Sequence, residues 1–124
     1  MFKNINWILV YTAEAHAIDE WPISSARYSL NKKPIIVTQT RNITDRCVVA
    51  QKFVNEYEFT NWKLLIAPPA HLDFDNLHYN FETIYKPWPF RIYGFTKLDI
   101  TFASEPRSCE TRIEELRDWL ERNT

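Results

Sequence analysis

Two runs of apolar residues restrict the fold more than any other feature of this sequence. Residues 5–12 (INWILVYT) are β-branched and aromatic without alternation, and residues 62–67 (WKLLIA) repeat that pattern before two prolines. A strand with one face in water alternates apolar and polar residues, whereas a strand covered on both faces does not. The two runs therefore predict buried strands of the kind found in the parallel sheets of α/β proteins.

Helical patterns and a hairpin separate and follow these strands. A polar, proline-punctuated loop over residues 13–39 leads to a helix that Asn42 or Thr44 can cap and that ends near Glu58. Residues 75–84 predict a second helix. Residues 90–95 (FRIYGF) and 98–103 (LDITFA), separated by Thr96 and Lys97, predict an antiparallel hairpin. Ser108 can cap a closing amphipathic helix. Its apolar stripe consists of Ile113, Leu116, Trp119 and Leu120.

This order of elements is typical of the C-terminal half of a thioredoxin-like α/β domain. With 124 residues the chain is long enough for one hydrophobic core, so we expect residues 1–124 to form a single domain. Pro89 directly precedes the first hairpin strand, where thioredoxin-like folds carry a cis-proline beside the active site. A trans proline at the start of a strand fits the pattern equally well. Trp88, between two prolines, is predicted to line a groove.

The composition excludes several classes of protein. Gly94 is the single glycine, which excludes the Gly-rich phosphate loops of nucleotide-binding proteins. A net charge of −1 gives no long-range attraction to nucleic acid, and no apolar run reaches the roughly 18 residues of a membrane span. The first residues contain no secretion signal, so we expect a cytoplasmic protein. The two cysteines, Cys47 and Cys109, are far apart and are expected to be reduced thiols.

Ionisable residues gather where the first strand ends, in the segment YTAEAHAIDEW at residues 11–21. Glu14, His16 and Asp19 follow the carboxyl end of that strand, which is the end at which open α/β sheets bind their ligands. These side chains suit acid/base catalysis, although a polar loop with a silent histidine fits as well. His71 and His78 could join His16 and Glu14 around a metal, but the spacing fits no zinc pattern, so no metal is expected.

The same segment resembles the Y-x-E-E-A-H-x-S-D-G-W motif of the iodothyronine deiodinases, thioredoxin-fold selenoenzymes that remove iodine from thyroid hormones. Residues 40–53 (TRNITDRCVVAQKF) resemble the family's H-x-[SN]-x-x-D-R motif and the helix after it. FRIYGF resembles its E-R-L-Y-V-I strand, and IEELRDWLERN resembles its closing V-R-x-W-L-E-K-N helix. The motifs follow the family's order over nearly the whole chain. The matching residues of the first motif are Tyr11, Glu14, Ala15, His16, Asp19 and Trp21.

The resemblance implies roles for individual residues. Tyr11, Glu14 and His16 would form the acid/base shell of a site for a small iodinated aromatic substrate. Arg91, on the hairpin strand, would clamp the substrate's carboxylate, a task that suits the guanidinium fork. A position on the solvent face of the strand fits Arg91 as well. The substrate-binding positions would be Arg91, Trp88 and Pro89. The family uses an external thiol as reductant, so no bound cofactor is expected.

The resemblance also has a gap. The family carries its selenocysteine, or a cysteine in relatives, between a strand and a helix that precede the segment matching the start of this sequence. We expect that unit to be absent, which makes the fold incomplete at the N-terminus and the chain inactive as written. Thr40 stands near the position of a second family histidine. Strands left without their central neighbour expose unpaired edges. This predicts a longer gene, a strand-completing partner or homodimer, or direct pairing of the strands INWILV and FRIYGF.

The sequence therefore predicts a deiodinase-like oxidoreductase, acting by reductive dehalogenation, that lacks its nucleophile. A second hypothesis is a non-catalytic thioredoxin-like binding module that uses the aromatic-rich cleft around His16, Trp88 and Arg91. A third is a peroxiredoxin-like thiol protein that uses Cys47, although no resolving cysteine lies nearby in the sequence. A selenocysteine or cysteine codon in a strand-like segment upstream would favour the enzyme.

Overall fold

The computed structural model describes residues 5–22, 36–59, 61–69, 81–87, 90–104 and 112–124. These ranges contain a mixed α/β arrangement of three helices and two small two-stranded sheets. The described elements follow the predicted order of strands and helices. They are β1 (Ile8–Tyr11), α1 (Ile43–Glu56), β2 (Lys63–Ile66), α2 (Phe81–Tyr85), β3 (Tyr93–Thr96), β4 (Asp99–Ala103) and α3 (Ile113–Asn123).

The described residues fall into two compact units, an N-terminal unit over Trp7–Tyr85 and a C-terminal unit that includes Lys86–Thr124. In the N-terminal unit β1 and β2 pair in parallel, with Ile8 opposite Lys63 and Tyr11 opposite Ile66. Both strands are shorter than predicted. Ile8 keeps 52% of its surface exposed, so the described residues do not cover β1 on both faces. The thioredoxin-like assignment and the single domain stay predictions.

Helix α1 begins as its sequence predicts. Asn42 is the N-cap, because its side chain accepts a hydrogen bond of 2.8 Å from the backbone N–H of Asp45. The helix ends at Glu56, two residues earlier than predicted. Glu58 then takes a left-handed conformation with φ of 56°, the position that glycine usually occupies after a helix. The buried face consists of Arg46, Ala50 and Val54, which are spaced four residues apart.

The C-terminal unit contains the predicted hairpin. Strands β3 and β4 pair in antiparallel fashion, with a register shift between Gly94 and Phe95. The turn lies at Lys97 and Leu98, one residue later than predicted, and Lys97 takes a left-handed φ of 59°. Helix α3 packs on this hairpin through Trp119, whose ring centroid lies 5.9 Å from that of Phe102.

The other two helices differ from the prediction at their N-terminal ends. Helix α3 begins at Ile113 with Arg112 as the N-cap and no side-chain capping bond, so the prediction that Ser108 caps it is wrong. Ile113 is exposed, whereas Leu120 is buried. Helix α2 covers Phe81–Tyr85, and residues 75–80 of the predicted helix lie outside the described residues. Within the described ranges, no helix has the length and apolar character needed to cross a bilayer.

Candidate functional site

Two of the predicted site residues meet where β1 ends. The Tyr11 hydroxyl donates a hydrogen bond to Oε1 of Glu14, three residues further along the chain. The Tyr11 ring packs edge-on against Phe53 of α1, with ring centroids 5.8 Å apart and an interplanar angle of 60°. This packing orients the Tyr11 ring. The phenol and the Glu14 carboxyl group form a half-buried pair at the carboxyl end of a parallel strand.

Gln39 holds the backbone of Glu14 from the far end of the predicted loop. Its Oε1 accepts a 3.0 Å hydrogen bond from the Glu14 N–H, and its Nε2 donates to the Glu14 carbonyl at 3.1 Å. The same Nε2 donates to Glu20 Oε2 at 3.1 Å, and the Gln39 N–H donates to Asp19 Oδ1 at 2.8 Å. These bonds fix the position from which the Glu14 side chain reaches Tyr11.

The buried guanidinium group of Arg46 lies at the ends of β1 and β2. Arg46 of α1 is 2% exposed, and its Nε donates to Thr40 Oγ1 at 3.0 Å. Its NH1 donates to the Ala67 carbonyl at 2.6 Å and lies 3.7 Å from Oε1 of Glu82 in α2. The Ala67 N–H in turn donates to the Tyr11 carbonyl at 2.9 Å. Arg46 therefore ties α1, α2 and the end of β2 to the end of β1.

Burial changes the proton affinities of the pair. Burial raises the pKa of Glu14 above its usual value, and the hydrogen bond from Tyr11 and the charge of Arg46 only partly oppose this. Burial likewise raises the pKa of Tyr11 well above its usual value, with further increases from the hydrogen bond to Glu14 and from that carboxylate's charge. Burial lowers the pKa of Arg46. Tyr11 is thus a neutral donor, and Glu14 is a carboxyl group that keeps its proton to higher pH than usual.

His16 is placed apart from this pair. Its side chain is exposed, its Nδ1 lies 3.2 Å from the Trp21 carbonyl oxygen, and its ring centroid lies 5.1 Å from that of Trp21. Asp19 engages the Gln39 N–H and lies 3.8 Å from NH2 of Arg41. Among the predicted acid/base residues, Tyr11 and Glu14 therefore share a hydrogen bond, while His16 contacts the turn that follows it.

The predicted substrate clamp belongs to the C-terminal unit. Arg91 is half-buried just before β3, and among the described residues its Nε has no hydrogen-bond partner. Its neighbour Ile92 is fixed by two bonds with Ser104, a 2.8 Å bond from the Ile92 N–H to Oγ and a 2.9 Å bond from the Ser104 N–H to the Ile92 carbonyl. Trp88 and Pro89 lie outside the described residues.

Sequence reasoning omitted three residues from the site. Arg46 belonged to a motif that matched the family, yet a charged residue on a helix is ordinarily assigned to the surface. Gln39 and Glu82 carried no signal, because their partners are 25 and 36 positions away along the chain.

The residues of the thiol and metal hypotheses lie only partly within the described ranges. Cys47 is exposed on α1, and Cys109 lies outside those ranges. No group of three His, Cys, Asp or Glu side chains within them is arranged to hold a metal ion. His71 and His78 lie outside the described residues.

The raised pKa of Glu14 predicts that stability falls with pH. A carboxyl group whose pKa is higher in the folded chain than in the unfolded chain contributes stability that is complete below about pH 4.5, its unfolded value, and is lost as the pH rises through the folded value. We expect urea denaturation to give a lower free energy of unfolding at pH 8 than at pH 5. The slope should stay below about 1.4 kcal/mol per pH unit, because a single carboxyl group binds at most one more proton in the folded chain than in the unfolded chain.

Glu14→Gln should flatten this profile, because glutamine imitates the protonated carboxyl group at every pH. Equal pH slopes in the variant and the parent would show that Glu14 does not cause the pH dependence of stability.

Comparison with known proteins adds one match. The family model described as iodothyronine deiodinase matches residues 1–124, the whole chain. No curated protein matches this chain.

Proposed function

This chain belongs to the iodothyronine deiodinase family, and we propose that it is a deiodinase-like oxidoreductase whose acid/base groups are Tyr11, Glu14 and His16. Its substrate class is iodinated aromatic compounds of the iodothyronine type. We propose neither Cys47 nor Cys109 as the selenolate or thiolate nucleophile, because neither cysteine matches the family's nucleophile position.

The observation that carries this proposal is the Tyr11–Glu14 pair at the end of β1. In reductive deiodination a selenolate takes the iodine, forming a Se–I bond as the C–I bond breaks, and the ring carbon takes up a proton. Two thiol groups then reduce the Se–I group, which releases iodide and two protons and restores the selenolate as the thiols are oxidised to a disulfide. The step at carbon needs a proton donor, and a carboxyl group with a raised pKa suits that task.

The other residues have roles that follow from their surroundings. His16 is exposed beside Trp21 and is assigned to the acid/base groups by the family motif. Arg91 has a buried Nε without a hydrogen-bond partner among the described residues, and a carboxylate would satisfy it. We therefore propose that Arg91, with Trp88 and Pro89, binds substrate.

Supplying the missing nucleophile tests the proposal directly. We expect no iodide release from an iodothyronine by the chain with dithiothreitol alone. With free selenocysteine added, the chain should accelerate release above the rate of selenocysteine and dithiothreitol without protein. Tyr11→Phe and Glu14→Gln should remove most of this acceleration, about a hundredfold for a lost general acid. Iodide is measured with an iodide-selective electrode.

Matched variants separate a site effect from a charge effect. Glu56→Gln, at the exposed end of α1, should leave the acceleration unchanged. Arg91→Gln should weaken binding of the iodothyronine about tenfold or more in calorimetry, whereas Arg117→Gln on exposed α3 surface should not. Binding without acceleration would favour the non-catalytic binding module, and the absence of both would overturn the proposal.

A further inference from the structure

Arg46 contacts Glu82 and is linked through Ala67 to the Tyr11–Glu14 pair. On one side its NH1 lies 3.7 Å from Oε1 of Glu82, an oxygen that is buried and has no hydrogen-bond partner among the described residues. On the other side NH1 donates to the Ala67 carbonyl, the Ala67 N–H donates to the Tyr11 carbonyl, and the Tyr11 hydroxyl donates to Glu14. At 3.7 Å the contact with Glu82 is longer than a hydrogen bond, so Glu82 holds the guanidinium through charge.

The charges in this cluster do not balance if both carboxyl groups are ionised. One guanidinium offsets one carboxylate, and each buried charge without a partner is costly. Among the described residues, the groups near Glu14 are Tyr11 from β1, Arg46 from α1 and the neutral Gln39, which also binds Glu20. Tyr11 and Gln39 bring no positive charge, so within the described ranges Arg46 is the cation available to Glu14, and Glu82 competes for it.

We propose that Glu82 is a positioning residue for the proton donor, because it engages the charge of Arg46 and leaves Glu14 as the carboxyl group that carries a proton. This assignment rests on the proposed function, in which Glu14 protonates the substrate carbon. The proposal gives α2 a role beyond packing, since the carboxylate of its Glu82 keeps Glu14 protonated.

The test is a titration of Glu14 in the whole chain. Glutamate side-chain carboxyl carbons are labelled with ¹³C, and the Glu14 resonance is identified by its loss in Glu14→Gln. In Glu82→Gln, Arg46 is free to stabilise ionised Glu14, so Glu14 should bind its proton about three- to tenfold more weakly. Glu56→Gln removes the same charge from an exposed site and should leave the Glu14 titration unchanged.

A second variant provides the test if Glu82→Gln does not fold. Glu82→Asp keeps the charge but moves it away from Arg46, and it should also weaken proton binding by Glu14. Circular dichroism identifies which variants are folded. A Glu14 titration in a folded Glu82 variant that matches Glu56→Gln, or that moves to higher pH, overturns the proposal.

This titration needs no substrate, so the two proposals fail separately. Retention of full acceleration by Glu14→Gln would overturn the proposed function even if Glu82 acts on Glu14 as expected. An unchanged titration in the Glu82 variants would overturn the role of Glu82 and leave the proposed function standing.

Discussion

Arg46→Ala is expected to lower the free energy of unfolding by about 3–5 kcal/mol. The substitution leaves Thr40 Oγ1 and the Ala67 carbonyl without the buried donor that serves them, and it leaves Glu82 without its cation. An unsatisfied buried polar group costs about 1–3 kcal/mol, and a buried carboxylate that loses its partner costs more. Urea denaturation followed by circular dichroism measures the change.

Arg41→Ala is the matched control. The Arg41 side chain is 71% exposed and its contact with Asp19 is 3.8 Å long, so this loss should cost less than about 1 kcal/mol. Arg46→Ala combined with Glu82→Gln should recover part of the loss, since the second change removes the unpaired carboxylate. If Arg46→Ala costs no more than Arg41→Ala, Arg46 does not hold α1, α2 and the strand ends together.

The sequence predicted the helices and strands well because caps and apolar runs depend on residues a few positions apart. The Asn42 cap depends on a bond to a residue three positions away, and both parallel strands were visible as apolar runs. The hairpin turn was misplaced by one residue because Leu98, which is 94% exposed, is an apolar side chain in a turn. Because leucine is apolar, the sequence pattern favoured placing Leu98 in the strand and not in the turn.

The buried face of α1 shows why periodicity failed at the site. Arg46 occupies the buried position four residues before Ala50, whereas its apolar neighbour Cys47 is exposed. A count of apolar residues cannot detect a buried arginine, whose burial depends on acceptors from distant segments. The resemblance supplied Tyr11 and Glu14 together with His16, which the structure places apart from them. Gln39 bonds to the Glu14 backbone and Glu82 lies beside Arg46 through tertiary contacts that no local pattern encodes.

A second large effect is expected at Gly94, the single glycine of the chain. Gly94 has no left-handed backbone conformation, so its role is spatial. A Cβ built there would lie 2.7 Å from two ring atoms of Trp119 and 2.9 Å from a third. Where space is free, Gly→Ala stabilises by about 0.4–1 kcal/mol through the unfolded chain, so the sign of the change is informative. We expect Gly94→Ala to destabilise by about 1–3 kcal/mol in urea denaturation.

A double-mutant cycle with Trp119→Leu locates the cause of this loss. The Trp119 ring is held against the hairpin by a 3.2 Å bond from its Nε1 to Thr101 Oγ1, so it cannot move aside without losing that bond. In the Trp119→Leu background, where the ring is gone, Gly94→Ala should cost little or should stabilise. The same cost in both backgrounds would show that the ring is not what the new methyl group meets. In that case strand β3, rather than the packing of α3, would require the glycine.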